Sequence, residues 1–209
     1  LVVSIAQIAS IPYPHGDLSQ ARHYFNHLLF SPDGQRFIFL HRWRFGDGGF
    51  YTRMLTSDLA GTDVRVVDDF GKTSHFIWRD PEHILAWSWH PSAEEKFYLY
   101  EDVNDQDRVH PVGSEKMKVN GHCSYLPNNE WILNDTYPLG DGRVQELYLY
   151  HVPSKRRIEL GHLPAPMVYN GEWRCDLHPR YSADSRLVSI DSAHEGGRQM
   201  YLIDIGDLL

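Results

Sequence analysis

Four histidines occupy the same position of a recurring phrase: a histidine, two residues, an aromatic, then a polar turn. It reads His27-Leu-Leu-Phe30-Ser-Pro-Asp-Gly34, His75-Phe-Ile-Trp78-Arg-Asp-Pro-Glu82, His122-Cys-Ser-Tyr125-Leu-Pro-Asn-Asn129 and His178-Pro-Arg-Tyr181-Ser-Ala-Asp-Ser185. Neutral imidazoles converging from separate strands make a site for a divalent transition metal, and a thiolate beside them favours zinc. Cys175 and His178 have the two-residue gap that lets both side chains reach one ion. The plainer alternative is that these histidines pack and hydrogen-bond where they stand.

The histidines lie 48, 47 and 56 positions apart, a period that marks a repeat architecture. Each repeat has a short strand carrying the histidine and aromatic, a turn of the Ser-Pro-Asp-Gly kind, and a second strand: Arg36 to His41, His83 to Trp89, Glu130 to Thr136, Arg186 to Ser192. A third strand follows in every repeat, and a fourth in three of them: Val64 to Val67, Val109 to Val112, Arg157 to Leu160. Four antiparallel strands per repeat form the blade of a β-propeller, in which blades pack radially about a channel. The expected fold is therefore all-β, about four blades at roughly 27–70, 75–113, 122–161 and 178–209. Residues 1–8, apolar and β-branched, read as an outer strand of a preceding or closing blade.

Strand direction places the chemistry. The first strand lines the channel with its histidine at one mouth, and the second strand returns to that mouth fourteen residues on, at His41, Trp89, Thr136 and Ser192. The same face is expected to gather Asp135, Tyr137, Cys175 and Asp191. Groups suited to acid-base work and charge neutralisation are His41-Arg42, Arg79, Arg180, Tyr137, and His194 with Arg198. Trp89, Arg180, His194 and Arg198 are candidates for holding substrate. For the arginines, salt bridges to neighbours such as Asp80 or Asp176 are the structural alternative. Gly46-Asp-Gly-Gly49 is not a phosphate loop, since no helix follows it.

Composition narrows the partner. At 42% hydrophobic and 23% charged the chain is globular, and no stretch approaches the apolar run needed to span a membrane. A formal net charge of -8 argues against a nucleic-acid backbone, which is bound through clustered Lys and Arg. An anionic substrate must then meet a local cationic or metal site. Two cysteines, Cys123 and Cys175, are too few for a disulfide scaffold and leave the compartment open. The chain begins at Leu1 rather than Met, so a leader segment is compatible with it.

Tyr24-Phe-Asn-His27-Leu-Leu-Phe-Ser-Pro-Asp-Gly34 followed by Phe37-Ile-Phe-Leu-His41-Arg-Trp43 resembles the propeller polysaccharide lyases, both oligogalacturonate lyases and ulvan lyases. The likeness extends through Ser74-His75-Phe-Ile-Trp78, Gly121-His122-Cys-Ser-Tyr125, Arg174-Cys-Asp-Leu-His-Pro-Arg180 and Asp191-Ser-Ala-His-Glu-Gly196. The Ser-Pro-Asp-Gly turns are shared with non-enzymatic propellers of the TolB type. The resemblance implies a seven-bladed fold, which at this period needs roughly 300 residues or more. The chain would then be a C-terminal portion, with the remaining blades as its partners; a four-bladed ring closed by residues 1–8 is the other possibility.

The resemblance further implies β-elimination on uronate-containing oligo- or polysaccharide, with zinc or manganese as cofactor and a periplasmic or secreted location. It carries over His75, His122 and His178 as metal ligands, with Cys175 or His27 as the fourth, and shows no counterpart of the glutamine ligand of oligogalacturonate lyases. Base and neutraliser candidates are His27, His41, Arg42, Arg79 and Tyr137. Two rival readings use the same mouth: a non-catalytic TolB-like propeller binding a protein or glycan, and a metal-dependent hydrolase or isomerase.

Overall fold

The computed structural model describes residues 1–209. It is all-β apart from a short helix, α1 (Ile5–Ala9), and one 3-10 turn at Gly171–Trp173. The chain forms two compact units, Leu1–Pro111 and Val112–Leu209.

In the first unit, β1 (Arg22–Phe30), β2 (Arg36–Arg44), β3 (Phe50–Asp58) and β4 (Val64–Asp68) make one antiparallel sheet in sequential order. β5 (Phe76–Asp80), β6 (His83–His90), β7 (Glu94–Glu101) and β8 (Val109–Pro111) make a second. Alternation assigns each central strand two apolar faces. Ile38 and Leu40 of β2 pack with Met54, Trp78, Ile84 and Tyr98 between the two sheets. Phe39 points to the other side, where Leu55, Val66 and Ile8 meet it.

The second unit repeats the plan. β9 (Ser124–Tyr125), β10 (Trp131–Asp135), β11 (Val144–His151) and β12 (Arg156–Pro164) form a third sheet, and β13 (Arg180–Tyr181), β14 (Leu187–Ser192) and β15 (Gln199–Asp204) form a three-stranded fourth. Trp131, Leu133, Leu147 and Leu149 pack against Leu177, Val188 and Ile190 between them. The last repeat contributes three strands to its sheet, the number read from its sequence.

The polar turns are built as their residues require. Ser31 Oγ donates to Asp33 at 2.6 Å, and Gly34 closes the turn at φ 68° by donating its N–H to the Ser31 carbonyl. Ser182 and Asp184 repeat the contact at 2.6 Å.

Two expectations are corrected. Residues 1–8 are not a strand: Ser4 accepts the Gln7 N–H at 3.1 Å as an N-cap, and the turn of helix that follows buries Ile8 fully under the first sheet. The β-branched composition was outweighed by a cap and by one buried anchor. The first blade also begins at Arg22, earlier than His27, because β1 pairs with β2 from Arg22↔Arg44 onward. His27 is the extra residue of a bulge between Asn26 and Leu28, at φ 50°.

Candidate metal centre

The second unit brings together His122, Asp176 and His178, whose ligand atoms all lie within 4.8 Å of one another. Their chain positions explain the convergence. His122 precedes β9, while Asp176 and His178 flank Leu177, whose side chain is fully buried in the core between the third and fourth sheets. Anchoring Leu177 inward leaves its two neighbours on the other side of an extended segment. The His122 and His178 rings sit 3.9 Å apart between centroids.

Asp135, at the end of β10 and fully buried, organises these groups. Its carboxylate accepts the His122 backbone N–H at 2.6 Å and the His178 backbone N–H at 3.2 Å. His122 Nδ1 lies 3.0 and 2.9 Å from its two oxygens. An ionised buried carboxylate can only accept here, so Nδ1 carries the proton and Nε2 is the atom left to offer a lone pair. His178 is held at φ 43°, a left-handed conformation uncommon for a non-glycine residue, and its donation to Asp135 helps to hold it there. Gly121 lets Asp135 approach: a Cβ on it would stand 1.8 Å from the Asp135 carbonyl oxygen.

Asp176 is gripped by Arg174, with Nε to Oδ1 at 2.5 Å and Nη2 to Oδ2 at 2.8 Å. The Arg174 guanidinium also lies 4.5 Å over the Tyr137 ring, and Tyr137 meets the His122 ring edge-on at 5.7 Å. Burial first, and then the neighbouring His122 ring, push His178 below the usual imidazole range, which keeps its lone pair available near neutral pH. Two imidazoles and one carboxylate are a donor set that suits zinc or manganese. The buried carboxylate behind His122 is the outer-sphere partner that such a ligand ordinarily has. The residues therefore fit a divalent ion.

Several expected residues fall elsewhere. Cys175 is buried, and its thiol is pushed up by burial and lies beside Arg198 rather than among the converging donor atoms. Its carbonyl accepts from Gln145, at 3.2 Å. Both cysteines are free. His75 belongs to the first unit, where its ring stands 6.1 Å from that of His27. Arg79 is paired with Asp80 at 2.7 Å, the structural alternative for that residue. Arg180 donates to the Pro179 carbonyl at 2.9 Å. His194 is bonded to Ser192 at 2.9 Å, and its ring lies tilted against Tyr201 at 4.6 Å. Arg42 covers Phe50 at 4.5 Å, and Trp89 packs edge-on against Phe70.

His41 is fully buried, so it cannot touch a substrate itself. It is bonded to His23 at 2.9 Å and to Arg53 at 3.0 Å. The sequence alone does not single out His23, Arg53, Asp135 as an orienting group or Asp176 as a candidate ligand. Two had a local signal: Arg53 interrupts an apolar central strand, and Asp135 ends one, and a charge at such a position must be paired.

No known family profile and no curated protein matches the sequence. Solved structures do. An oligogalacturonate lyase from Vibrio parahaemolyticus aligns over 88% of this chain and 50% of its own, with TM-score 0.64 and 18% identity. An acylaminoacyl peptidase from Pyrococcus horikoshii aligns over 88% of this chain and 31% of its own, with TM-score 0.56 and 6% identity. A prolyl oligopeptidase B from Galerina marginata covers 89% and 27%, with TM-score 0.52 and 14% identity. The chain spans half or less of the length of each. No helix is long and apolar enough to cross a membrane. What these likenesses share with the four sheets described above is the fold, and the chain is built of the blades of a β-propeller.

Proposed function

We propose that the chain carries the metal centre of a polysaccharide lyase that cleaves uronate-containing oligo- or polysaccharides by β-elimination. The convergence of His122, Asp176 and His178 in front of Asp135 carries this reading, and the fold likeness to an oligogalacturonate lyase supports it. In the reaction a base takes the proton from C5, its electron pair forms the C4–C5 double bond, and the C4–O4 bond breaks with protonation of the leaving oxygen. A divalent ion, zinc or manganese, would supply charge neutralisation at the uronate carboxylate, which acidifies C5–H.

The chain's own residues have separate tasks. Asp135 fixes the His122 tautomer, and Arg174 fixes the Asp176 carboxylate. Tyr137, between Arg174 and His122, is the phenol placed to move a proton. A polymeric substrate would be met outside the cytoplasm, which makes a periplasmic or secreted setting part of the proposal.

The alternative is a glycan-binding propeller without catalysis. It is favoured by the exposed apolar side chains Met167, Val168 and Trp173 in the loop that leads to Cys175, which expose 67%, 76% and 76% of their surface. Incubation of the full-length protein with pectic, ulvan and alginate-type polymers, following ultraviolet absorbance of the unsaturated product, decides between them. Product from any of them supports the lyase; silence on all three overturns it.

A further inference from the structure

The first unit contains a hydrogen-bonded line of Arg53, His41 and His23 that none of the metal-centre chemistry uses. Strand register builds it, because His41 pairs directly with Arg53 across β2 and β3 and with Phe25 across β1 and β2. Arg53 is fully buried, and its N–H groups go to His41 and to the carbonyls of Ile8, Ile11 and Pro12. No carboxylate is hydrogen-bonded to it; Asp69 acts on it only through space. A guanidinium buried among neutral partners leaves its charge to be felt along the line.

Direction follows from donor chemistry. Arg53 has no acceptor, so Nε donates to His41 Nδ1 at 3.0 Å. Burial first, then Arg53 and His23, push the His41 imidazole down to about 3, so it is neutral and its proton sits on Nε2. That proton is donated to His23 Nδ1 at 2.9 Å. His23 therefore accepts at Nδ1 and keeps its own proton on Nε2. His23 lines a cavity of about 600 Å³ formed with Ala9 to Tyr13, Gly16 to Ser19 and Ala21. The one carboxylate in that lining, Asp17, is engaged by the N–H and hydroxyl of Ser19 at 2.8 and 2.9 Å.

We infer that His23 is a fixed N–H donor for the carboxylate of a ligand in this cavity, with His41 and Arg53 as the residues that position it and set its tautomer. It is thus a donor rather than a proton-accepting base. Its Nε2–H would meet an anionic oxygen, and the buried Arg53 charge behind two aligned imidazoles strengthens that bond over one to a neutral hydroxyl. The inference does not depend on the lyase reading; if that reading holds, the carboxylate bound here belongs to a uronate other than the one at the metal centre.

Side-chain 1H–15N NMR of the histidines in the full chain, with sodium galacturonate and galactose as probes, tests it. The expected result is an Nε2–H tautomer for both His23 and His41, and a shift of the His23 Nε2 signal with galacturonate but not with galactose. An Nδ1–H tautomer at His23, equal shifts with both sugars, or no shift with either overturns the inference. Calorimetric titration adds two variants. His23→Gln keeps one acceptor and one N–H donor and should bind galacturonate within about threefold of the native chain. His23→Phe should lose about tenfold or more. Native-like binding by His23→Phe, or binding by His23→Gln as weak as that of His23→Phe, refutes the donor role. A His23 shift with galacturonate in a protein that forms no unsaturated product would sink the lyase and leave this site standing.

Discussion

Asp135 holds His122 twice, accepting its backbone N–H at 2.6 Å and its ring Nδ1–H at 2.9 Å. One buried carboxylate therefore sets both where the residue sits and which nitrogen it offers. Removing that carboxylate should act on metal affinity before it acts on anything else. Asp135→Ala is expected to weaken zinc or manganese binding about 10–100-fold, measured by competition with a chelating dye. Unchanged affinity would mean that His122 is not a ligand through Nε2.

The donor set makes a second prediction by contrast between residues. Replacement of His122 or His178 by Ala should abolish stoichiometric metal on elemental analysis, and Asp176→Ala should weaken it strongly. His75→Ala and Cys175→Ser should retain the metal, since neither belongs to the converging group. Loss of metal in His75→Ala would reinstate a wider ring of histidines.

Gly121 is where backbone and carboxylate come closest. With a Cβ placed 1.8 Å from the Asp135 carbonyl oxygen, Gly121→Ala forces the chain apart and should cost about 1–3 kcal/mol, read as a lower thermal midpoint. The displaced Asp135 should lower metal affinity in the same variant.

Asp68 makes stability fall from acid towards neutral pH. Completely buried, it is pushed up by desolvation to about 7, with Thr73 donating to one oxygen and Tyr100 donating to the other at 3.2 Å. In the unfolded chain the group titrates near 3.8, so between roughly pH 4 and 7 unfolding releases a proton and stability falls as pH rises. Asp68→Asn should flatten that slope and raise the unfolding free energy at pH 8 by roughly 1 kcal/mol or more, by urea denaturation. A variant with the native slope would contradict the assignment.

His41 acts with the opposite sign. Its imidazole titrates near 6.5 unfolded and about 3 folded, so its contribution is complete above 6.5 and is lost as pH falls towards 3. In His41→Gln the loss of stability on acidification should be shallower than in the native chain. The same urea titrations at pH 4, 5 and 6 measure it, and an identical pH dependence would show that His41 is not held neutral.

The blades were legible because their causes are local. Short continuous apolar runs such as Phe37 to Leu40 and Ile84 to Trp87, with turns such as Ser31-Pro-Asp-Gly34, specify buried strands and reversals over a few residues wherever they occur. His122 and His178 were legible for the same reason, since the repeat puts them at equivalent places. Tyr137 stood out by its nearness to a strand end. By contrast, residues 1–8 carry strand-like composition, and only the Ser4 cap and the pocket under Phe39 that receives Ile8 make them helical.

Which donors meet was decided by the tertiary structure. Asp176 faces His122 because Leu177 between its neighbours is anchored in the core, and Asp135 reaches both histidines because Gly121 clears its path. His23 lies against His41 because β1 and β2 pair in one register, and a one-residue slip would turn it to the opposite face. Repeat, strand and turn follow from neighbours along the chain. Coordination and proton position need atoms from distant segments within about 3 Å of one another, and only packing and strand register set distances of that size.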